Sequence, residues 1–337
     1  MKVGDLFLVI GSGSIARRHM ANIKGMYPGA RVGCLSASGR VMDPAELGED
    51  VVIYSSMDNA IADRPTSAIV ASPAPFHIEQ AEALVRAGVP VLIEKPLADS
   101  LQRFKASADL LLEEQDTVVI AYNLRFMPSA GVTKQIIDSG QLGHIHSVSV
   151  DVGQYLPDWR PASDYRKNVS AQHKLGGGVL LELSHELDYL QWLFGPLQSV
   201  YCVARTSGAL ELDVEDLVDA FLTSECGVVI NLHMDFLQRA PVRCCKVIAE
   251  HGSLEWNILK NRVTLHLNAS ESTVLFDDAD YDRNQMYVDE LAHFQDVANR
   301  KSRPFVTVAQ GLSTLTVVDA LKRSSATGAV VSLKDFS

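Results

Sequence analysis

The stretch LFLVIGSGSIARRHM, residues 6–20, decides the fold of this chain. Leu6 to Ile10 are five apolar residues that read as a buried strand. They run straight into Gly11, Ser12, Gly13, Ser14 and Ile15, and Ala16 completes a G-x-G-x-x-A spacing at the start of a helical pattern. Gly11 permits the tight turn, Gly13 lets the backbone approach a pyrophosphate, and Ala16 allows the helix to pack close on the strand. The first N–H groups of the helix and its dipole favour phosphate oxygens. A dinucleotide cofactor is therefore expected on Gly11–Ala16. The acidic residue that would hold a ribose 2′-hydroxyl is due about 20 residues further on. That region reads GCLSASGR, residues 33–40, with Ser36 and Ser38 in place of an acid and Arg40 following. A serine with a nearby arginine accepts a 2′-phosphate that an aspartate would repel, so NADP is expected over NAD. A neutral loop that tolerates either cofactor is the other reading.

The surrounding third of the chain repeats the same theme. Strands are predicted at Leu6–Ile10, Arg31–Leu35, Val51–Tyr54, Ala68–Ala71, Val89–Ile93 and Val118–Tyr122. Helical patterns lie between most of them, at Ile15–Lys24, Ile78–Ala87 and Leu101–Glu114. Alternating strands and helices make a parallel, doubly wound sheet with right-handed crossovers, and ligands bind at the carboxyl ends of its strands. Beyond residue 123 the pattern changes. Segments 145–152, 199–206, 214–224, 227–236, 242–250 and 261–267 read as successive strands, with a hairpin turn at SECGVV, so an antiparallel sheet is expected. One long helix, Val179–Phe194, precedes that sheet, and two more, near 285–299 and 309–326, follow it. Two domains are predicted, 1–122 and 123–337, since 337 residues exceed one ordinary core.

Apolar residues make up 47% and charged residues 21%, the proportions of a soluble globular chain. A net charge of −11 argues against nucleic acid as a general partner. Five cysteines with no Cys-x-x-Cys pair argue against a disulfide framework or a zinc site and for a reducing compartment. No signal peptide or membrane-spanning run is recognised, so a cytoplasmic protein is expected.

Several strings now stand in order: the glycine turn, SPAPFHIEQAEALVRAGVPVLIEKPLADS (72–100), YNLRFMPS (122–129), IDSGQLGHI (137–145), DWRPASDYR (158–166), GGGVLLELSHELDYLQWLFG (176–195) and GLSTLTVVDALKRSSATGAVVSL (311–333). Together they closely resemble the Gfo/Idh/MocA oxidoreductases, the family of glucose–fructose oxidoreductase and inositol dehydrogenase. The resemblance covers essentially the whole chain. It implies an N-terminal Rossmann domain and a C-terminal α+β domain with an open, mostly antiparallel sheet, one face of which makes a homodimer or homotetramer interface. It also implies a nicotinamide cofactor and hydride transfer at a hydroxyl or carbonyl carbon of a sugar, cyclitol or related compound. Reduction of a non-sugar substrate, such as a linear tetrapyrrole or a dihydrodiol, stays open because fold alone does not decide chemistry. So does a regulatory protein that binds NADP without turnover, although such a protein needs neither Lys95 nor His185. A short-chain dehydrogenase is disfavoured by the lack of any Tyr-x-x-x-Lys.

Under the resemblance, Lys95 in Glu94-Lys95-Pro96 is a catalytic or substrate-orienting residue, and the proline is often cis. A lysine ammonium suits an oxygen on which charge develops. Glu94 then contacts the cofactor side or holds Lys95 by charge. On the later helix, Leu180, Leu183, Leu187, Leu190 and Phe194 form an apolar stripe, while Glu182, His185 and Tyr189 share the opposite face. His185 is suited to take the hydroxyl proton. Many relatives carry Asp-x-x-x-His where this chain has Glu182-x-x-His185, so Glu182 either reaches further to do the same work or only orients His185. Asp188 reads as structural. A di-iron site built on Glu182-x-x-His185 would also need further carboxylates on facing helices, and none is read, so no metal is expected. Ser72, Pro73, His77 and Asn123 fall at the expected cofactor edge, with His77 alternatively a plain helix-start residue. Arg125 either anchors substrate or joins the domains. Tyr155, Trp159, Arg160, Tyr165 and Arg166 either form a substrate wall or pack a long connection against the sheet.

Overall fold

The computed structural model describes residues 4–336, apart from 38, 41, 44–46, 48, 49, 106, 107, 269 and 270. Ser38, one of the two serines read as replacing an acid, lies outside the described residues. In chain order the elements are β1 (Leu6–Ile10), α1 (Ser14–Met26), β2 (Arg31–Leu35), β3 (Val51–Tyr54), α2 (Met57–Ala62), β4 (Ser67–Val70), α3 (His77–Arg86), β5 (Val91–Glu94), α4 (Leu101–Lys105), α5 (Ala108–Glu113) and β6 (Val118–Ala121). There follow α6 (Pro128–Asp138), β7 (Ile145–Gly153), α7 (Val179–Glu182), α8 (Ser184–Phe194), β8 (Leu197–Arg205), β9 (Leu217–Ser224), β10 (Val229–Asp235), β11 (Val242–Ala249), β12 (Gly252–Asn257), β13 (Arg262–Asn268) and β14 (Glu271–Asp277). The chain closes with α9 (Gln285–Ala298), α10 (Val308–Thr327) and the short β15 (Val331–Ser332). Among the described residues no helix is long and apolar enough to cross a membrane.

The chain forms two compact units, Met1–Asn123 with Arg283–Leu315, and Leu124–Asp282 with Thr316–Ser337. The second domain expected from the sequence runs from residue 123 to the end. Residues 283–315 instead belong to the first unit. The reason is hydrophobic: Leu291, Phe294 and Val297 of α9 are buried in one cluster with Phe7, Val9, Ile23, Val32 and Leu92.

The first unit holds a six-stranded sheet in the order β3-β2-β1-β4-β5-β6, with every pair parallel. Order reverses between β1 and β4, and that switch point is where a doubly wound sheet binds its ligand. Its strands are apolar because both faces are covered: Phe7, Leu8, Val9, Ile10, Val91, Leu92 and Ile93 are fully buried. Of the helix expected over 101–114, the described residues give α4 and α5, on either side of residues 106 and 107.

The second unit is built on a nine-stranded sheet, β14-β13-β12-β11-β7-β10-β9-β8-β15. All its pairs are antiparallel except β7 with β10. The SECGVV turn joins β9 to β10, with Ser224 N donating to Val228 O at 3.0 Å and Gly227 at φ +87°. Strands β12 and β14 and the short β15 were not read from the sequence. The predicted helix Val179–Phe194 is broken at Leu183, which sits at φ −99°, ψ 25°. The break follows from how its start is tied down. Leu180 N donates to Glu215 Oε1 at 3.1 Å and Val179 N to Glu215 O at 3.1 Å. Gly178, at φ +103°, lies so close that a Cβ there would stand 2.4 Å from Glu215 Oε1. These anchors set the first turn's direction, and α8 then packs along its own apolar stripe. Leu187 and Leu190 are fully buried, worth about 1.5–3 kcal/mol each.

Candidate active site

The glycine turn leaves β1 between β2 and β4. Gly11 N donates to Leu35 O at 2.8 Å, and Ala71 N donates to Ile10 O at 2.8 Å. Gly11 has φ +122°, and a Cβ there would stand 2.4 Å from Ala71 O. No other residue fits, on either ground. Gly13 is the N-cap of α1, with no side chain capping the helix and nothing within 4 Å of where its Cβ would be. The first N–H groups of α1 are thus left without a side-chain acceptor beside open space, which is what a phosphate group requires. Arg17, not singled out from the sequence, bends back over the same turn, its Nε donating to Ser12 O at 3.1 Å. Its signal was an arginine in the first helical turn after the glycines. At the end of β2, Ser36 Oγ accepts Arg40 N at 3.1 Å, so these two residues share one exposed turn.

Ser72 follows β4, the strand between β1 and β5, and its hydroxyl donates to Gln80 Oε1 at 2.7 Å. Next along the edge is β5, which ends on Glu94, only 7% exposed. Lys95 is half-buried, and the Lys95–Pro96 bond is cis. The glycine turn, Ser72 and Lys95 therefore line successive strand ends along one carboxyl edge.

His77, at the start of α3, does not face that edge as a ligand. Its ring is 1% exposed, with Nδ1 2.8 Å from Pro96 O and Nε2 2.7 Å from Ser72 O. Both ring nitrogens are occupied by backbone carbonyls, so the expected cofactor contact is replaced by a clasp between the ends of β4 and β5. Carbonyls only accept, so both bonds together need the protonated ring. Burial pulls its pKa below the ordinary histidine value, while the two carbonyls and Glu94 oppose that and Lys95 adds to it. Asn123 is likewise buried, and its side chain is hydrogen-bonded to the Tyr287 hydroxyl. Pro73 opens the short turn before α3.

In the second unit every residue from Val179 to Leu190 is buried except Glu182 and His185, which are half-buried. That exposure singles them out as the groups of this segment able to meet a small molecule. Tyr189, expected on the same face, is a core residue. It is 1% exposed and packs edge-on against Trp256 with centroids 5.1 Å apart. Asp188 and Glu186, also on α8, are committed to ion pairs. Asp188 takes Arg125 through two bonds of 2.9 and 2.7 Å, and both side chains are 2% exposed. Arg125 is thereby a buried partner of α8 rather than an exposed anchor for substrate. Glu186 takes Arg243 at 2.7 and 2.9 Å.

The proposed substrate wall is largely occupied by internal contacts. Trp159 Nε1 donates to Gln154 O at 3.2 Å, and its ring packs edge-on on Phe236 at 5.3 Å. Tyr155 lies under the Arg239 guanidinium, 3.5 Å from the ring centroid. Arg166 is exposed and pairs with Asp164 and Glu211, each at 2.8 Å. Among the described residues no group of three or more His, Cys, Asp or Glu side chains could hold a metal ion.

Residues 6–122 match the oxidoreductase family with an NAD-binding Rossmann fold, and residues 132–255 match the Gfo/Idh/MocA C-terminal domain. The chain belongs to the Gfo/Idh/MocA family. It is similar to an uncharacterized oxidoreductase of Synechocystis sp., 32% identical over 48% of this chain and 43% of that protein. It is also similar to inositol 2-dehydrogenase 2 of Saccharopolyspora erythraea, 29% identical over 67% of this chain and 65% of that one. The matched stretches thus span less than two thirds of either relative. A solved structure of levoglucosan dehydrogenase in complex with NADH superposes with a TM-score of 0.84 over 98% of this chain and 99% of that one, at 19% identity. That likeness speaks to the fold.

A different part of the family domain carries a titrating group. On the sheet of the second unit, His233 lies between Asp219 and Asp235, with Nδ1 at 2.7 Å and Nε2 at 3.0 Å from their carboxylates. Its pKa is raised to about 9, first by the bond to Asp235. The folded chain therefore holds this proton where the unfolded chain, near 6.5, has lost it. Stability from this group is complete below about pH 6.5 and is lost as pH rises through about 9. Because the ring is 35% exposed, screening keeps the effect below about 1 kcal/mol. The urea midpoint is expected to fall between pH 6.5 and 9.5 in the parent more than in His233→Gln. Identical slopes would refute the assignment.

Proposed function

We propose that this chain is an NAD(P)-dependent dehydrogenase or reductase acting on the hydroxyl or carbonyl carbon of a sugar, cyclitol or sugar derivative. The observation that carries the reading is the uncapped glycine turn and Lys95 standing on strand ends of one sheet, two strands apart. The fold family and the two named relatives, an inositol 2-dehydrogenase and a levoglucosan dehydrogenase solved with NADH, support it. The bound nicotinamide supplies the hydride donor or acceptor. The backbone from Gly11 to Ala16 holds the pyrophosphate, with Arg17 adding charge. Lys95 donates a hydrogen bond to the reacting oxygen and steadies the charge that develops there. His185 takes or returns the hydroxyl proton, and Glu182, three residues before it, orients the ring. NADH and NADPH oxidation should be followed at 340 nm against a panel of keto sugars, lactones and inosones, with the reverse reaction on polyols. Binding of both cofactors without turnover on any carbohydrate-like substrate would overturn the reading.

NADP is proposed as the preferred cofactor because Ser36 and Arg40 occupy the turn after β2. Ser36→Asp places a carboxylate where a 2′-phosphate is drawn. The ratio of kcat/KM for NADP over NAD is expected to fall about 10- to 100-fold, or about 1.4–2.8 kcal/mol. An unchanged ratio would sink the preference.

A second copy of the chain is the proposed occupant of the open sheet face. Along β8 to β11 alternate residues are buried, while Tyr201, Val203, Phe221, Val229 and Ile248 stay exposed. Apolar exposure of this extent suits a protein interface. The cytoplasm is the proposed compartment, in keeping with five unpaired cysteines.

A further inference from the structure

His19 and Glu94 stand 75 positions apart in sequence and meet inside the first unit. His19 Nε2 is 2.6 Å from Glu94 Oε1, and the ring is 0% exposed. His19 lies about a turn and a half into α1, the helix whose uncapped end is suited to phosphate. Glu94 closes β5 and directly precedes Lys95. Helix α9 walls the pair. Tyr287 meets the His19 ring edge-on with centroids 6.2 Å apart, and the Arg18 guanidinium lies 4.6 Å from the Tyr287 ring centroid. Glu290, one turn beyond Tyr287, is fully buried, and neither of its oxygens is hydrogen-bonded among the described residues. Burial, and then the charge of Glu94, push its pKa well up.

The proton on His19 follows from its partners. Nδ1 is buried and has no hydrogen-bond partner among the described residues. An imidazolium would bury an unsatisfied N–H there, at a cost of about 1–3 kcal/mol. So would the neutral ring protonated on Nδ1. The Nε2–H tautomer donates where an acceptor stands and leaves a bare nitrogen where none does.

Resting on the functional reading above, we propose that His19 is a positioning residue for Lys95. As a neutral Nε2–H ring it fixes the Glu94 carboxylate, and through that single bond it ties the phosphate end of α1 to the reacting end of β5. His19 touches neither substrate nor cofactor.

Two arms test this. In cofactor-free protein labelled with 15N-histidine, His19 is expected to show a protonated Nε2 and a bare Nδ1 at pH 7.5, with His19→Gln identifying the signal. Two protonated nitrogens, or a proton on Nδ1 alone, would overturn the tautomer. In kinetics, His19→Leu is expected to lower kcat about 10- to 100-fold while the Kd for NADPH changes less than about 3-fold. His19→Gln, whose amide nitrogen reaches the place of Nε2, is expected to restore kcat to within about 3-fold of the parent. Equal losses in Leu and Gln, or no loss in Leu, would overturn the positioning role. Should His19→Leu fail to fold, His19→Asn, too short to reach Glu94, serves in its place. If the parent turns over no substrate, the functional reading fails while the 15N result still decides the His19–Glu94 bond.

Discussion

Lys95→Met should bind NADPH with near-parental affinity and turn over about 100- to 10,000-fold more slowly. The substitution keeps the length and apolar stem of the side chain and removes only its charge and donors. Lys95 is half-buried, and the backbone around it is held by groups that do not depend on its ammonium. Val91, Leu92 and Ile93 are buried on one side of it, and His77 clasps the Pro96 carbonyl on the other. The loss is therefore expected in kcat, with thermal stability essentially unchanged. His185→Ala provides the comparison and should also retain the cofactor. Parental turnover in both variants would remove Lys95 and His185 from the chemistry altogether.

Asp188→Asn is expected to produce the largest loss of stability of any single change discussed. The Asp188 and Arg125 side chains are each 2% exposed and joined by two hydrogen bonds. Removing one charge strands the other in a medium that solvates it poorly, costing about 3–5 kcal/mol. For a unit of this size that is a fall in Tm of about 6–20 °C. The attraction itself offsets little more than the desolvation of both ions. Hence Arg125→Met combined with Asp188→Leu should recover most of the loss, whereas each single change should not. Urea unfolding of the two singles and the double decides it. An Asp188→Asn protein within about 1 kcal/mol of the parent would show that the pair is not a stability determinant.

What could be read from the sequence depended on how local its cause was. The turn at Gly11, Gly13 and Ala16 is dictated within six residues, and so are the apolar strands that the sheet covers on both faces. Lys95 was visible because a proline and two charges interrupt such a strand. The break at Leu183 was not, because the apolar period runs on through it and its cause, Glu215, is more than thirty residues away. Tyr189 has the spacing of a site residue, and only the position of Trp256 makes it a core residue. The same holds for His77, whose two carbonyl partners come from the ends of two strands, and for Arg125, which finds its carboxylate on α8. Strand β14 begins with Glu271 and Ser272 and lies at the sheet's edge, where Val274 is 51% exposed. Edge strands carry little of the alternation that marks a half-buried one. The parallel pairing of β7 with β10 is set by neither segment alone.

The return of residues 283–315 to the first unit bears on how the protein is made. A ribosome finishes β6 long before it reaches α9. During the interval in which residues 124–282 are synthesised, roughly 10–30 s at about 5–20 residues per second, the nascent sheet lacks Leu291, Phe294 and Val297 over part of its core. The N-terminal segment must wait, with apolar surface uncovered, for the chain to come back. A gene fragment ending near codon 123 would encode the same unfinished state, and a chaperone would find its binding surface there.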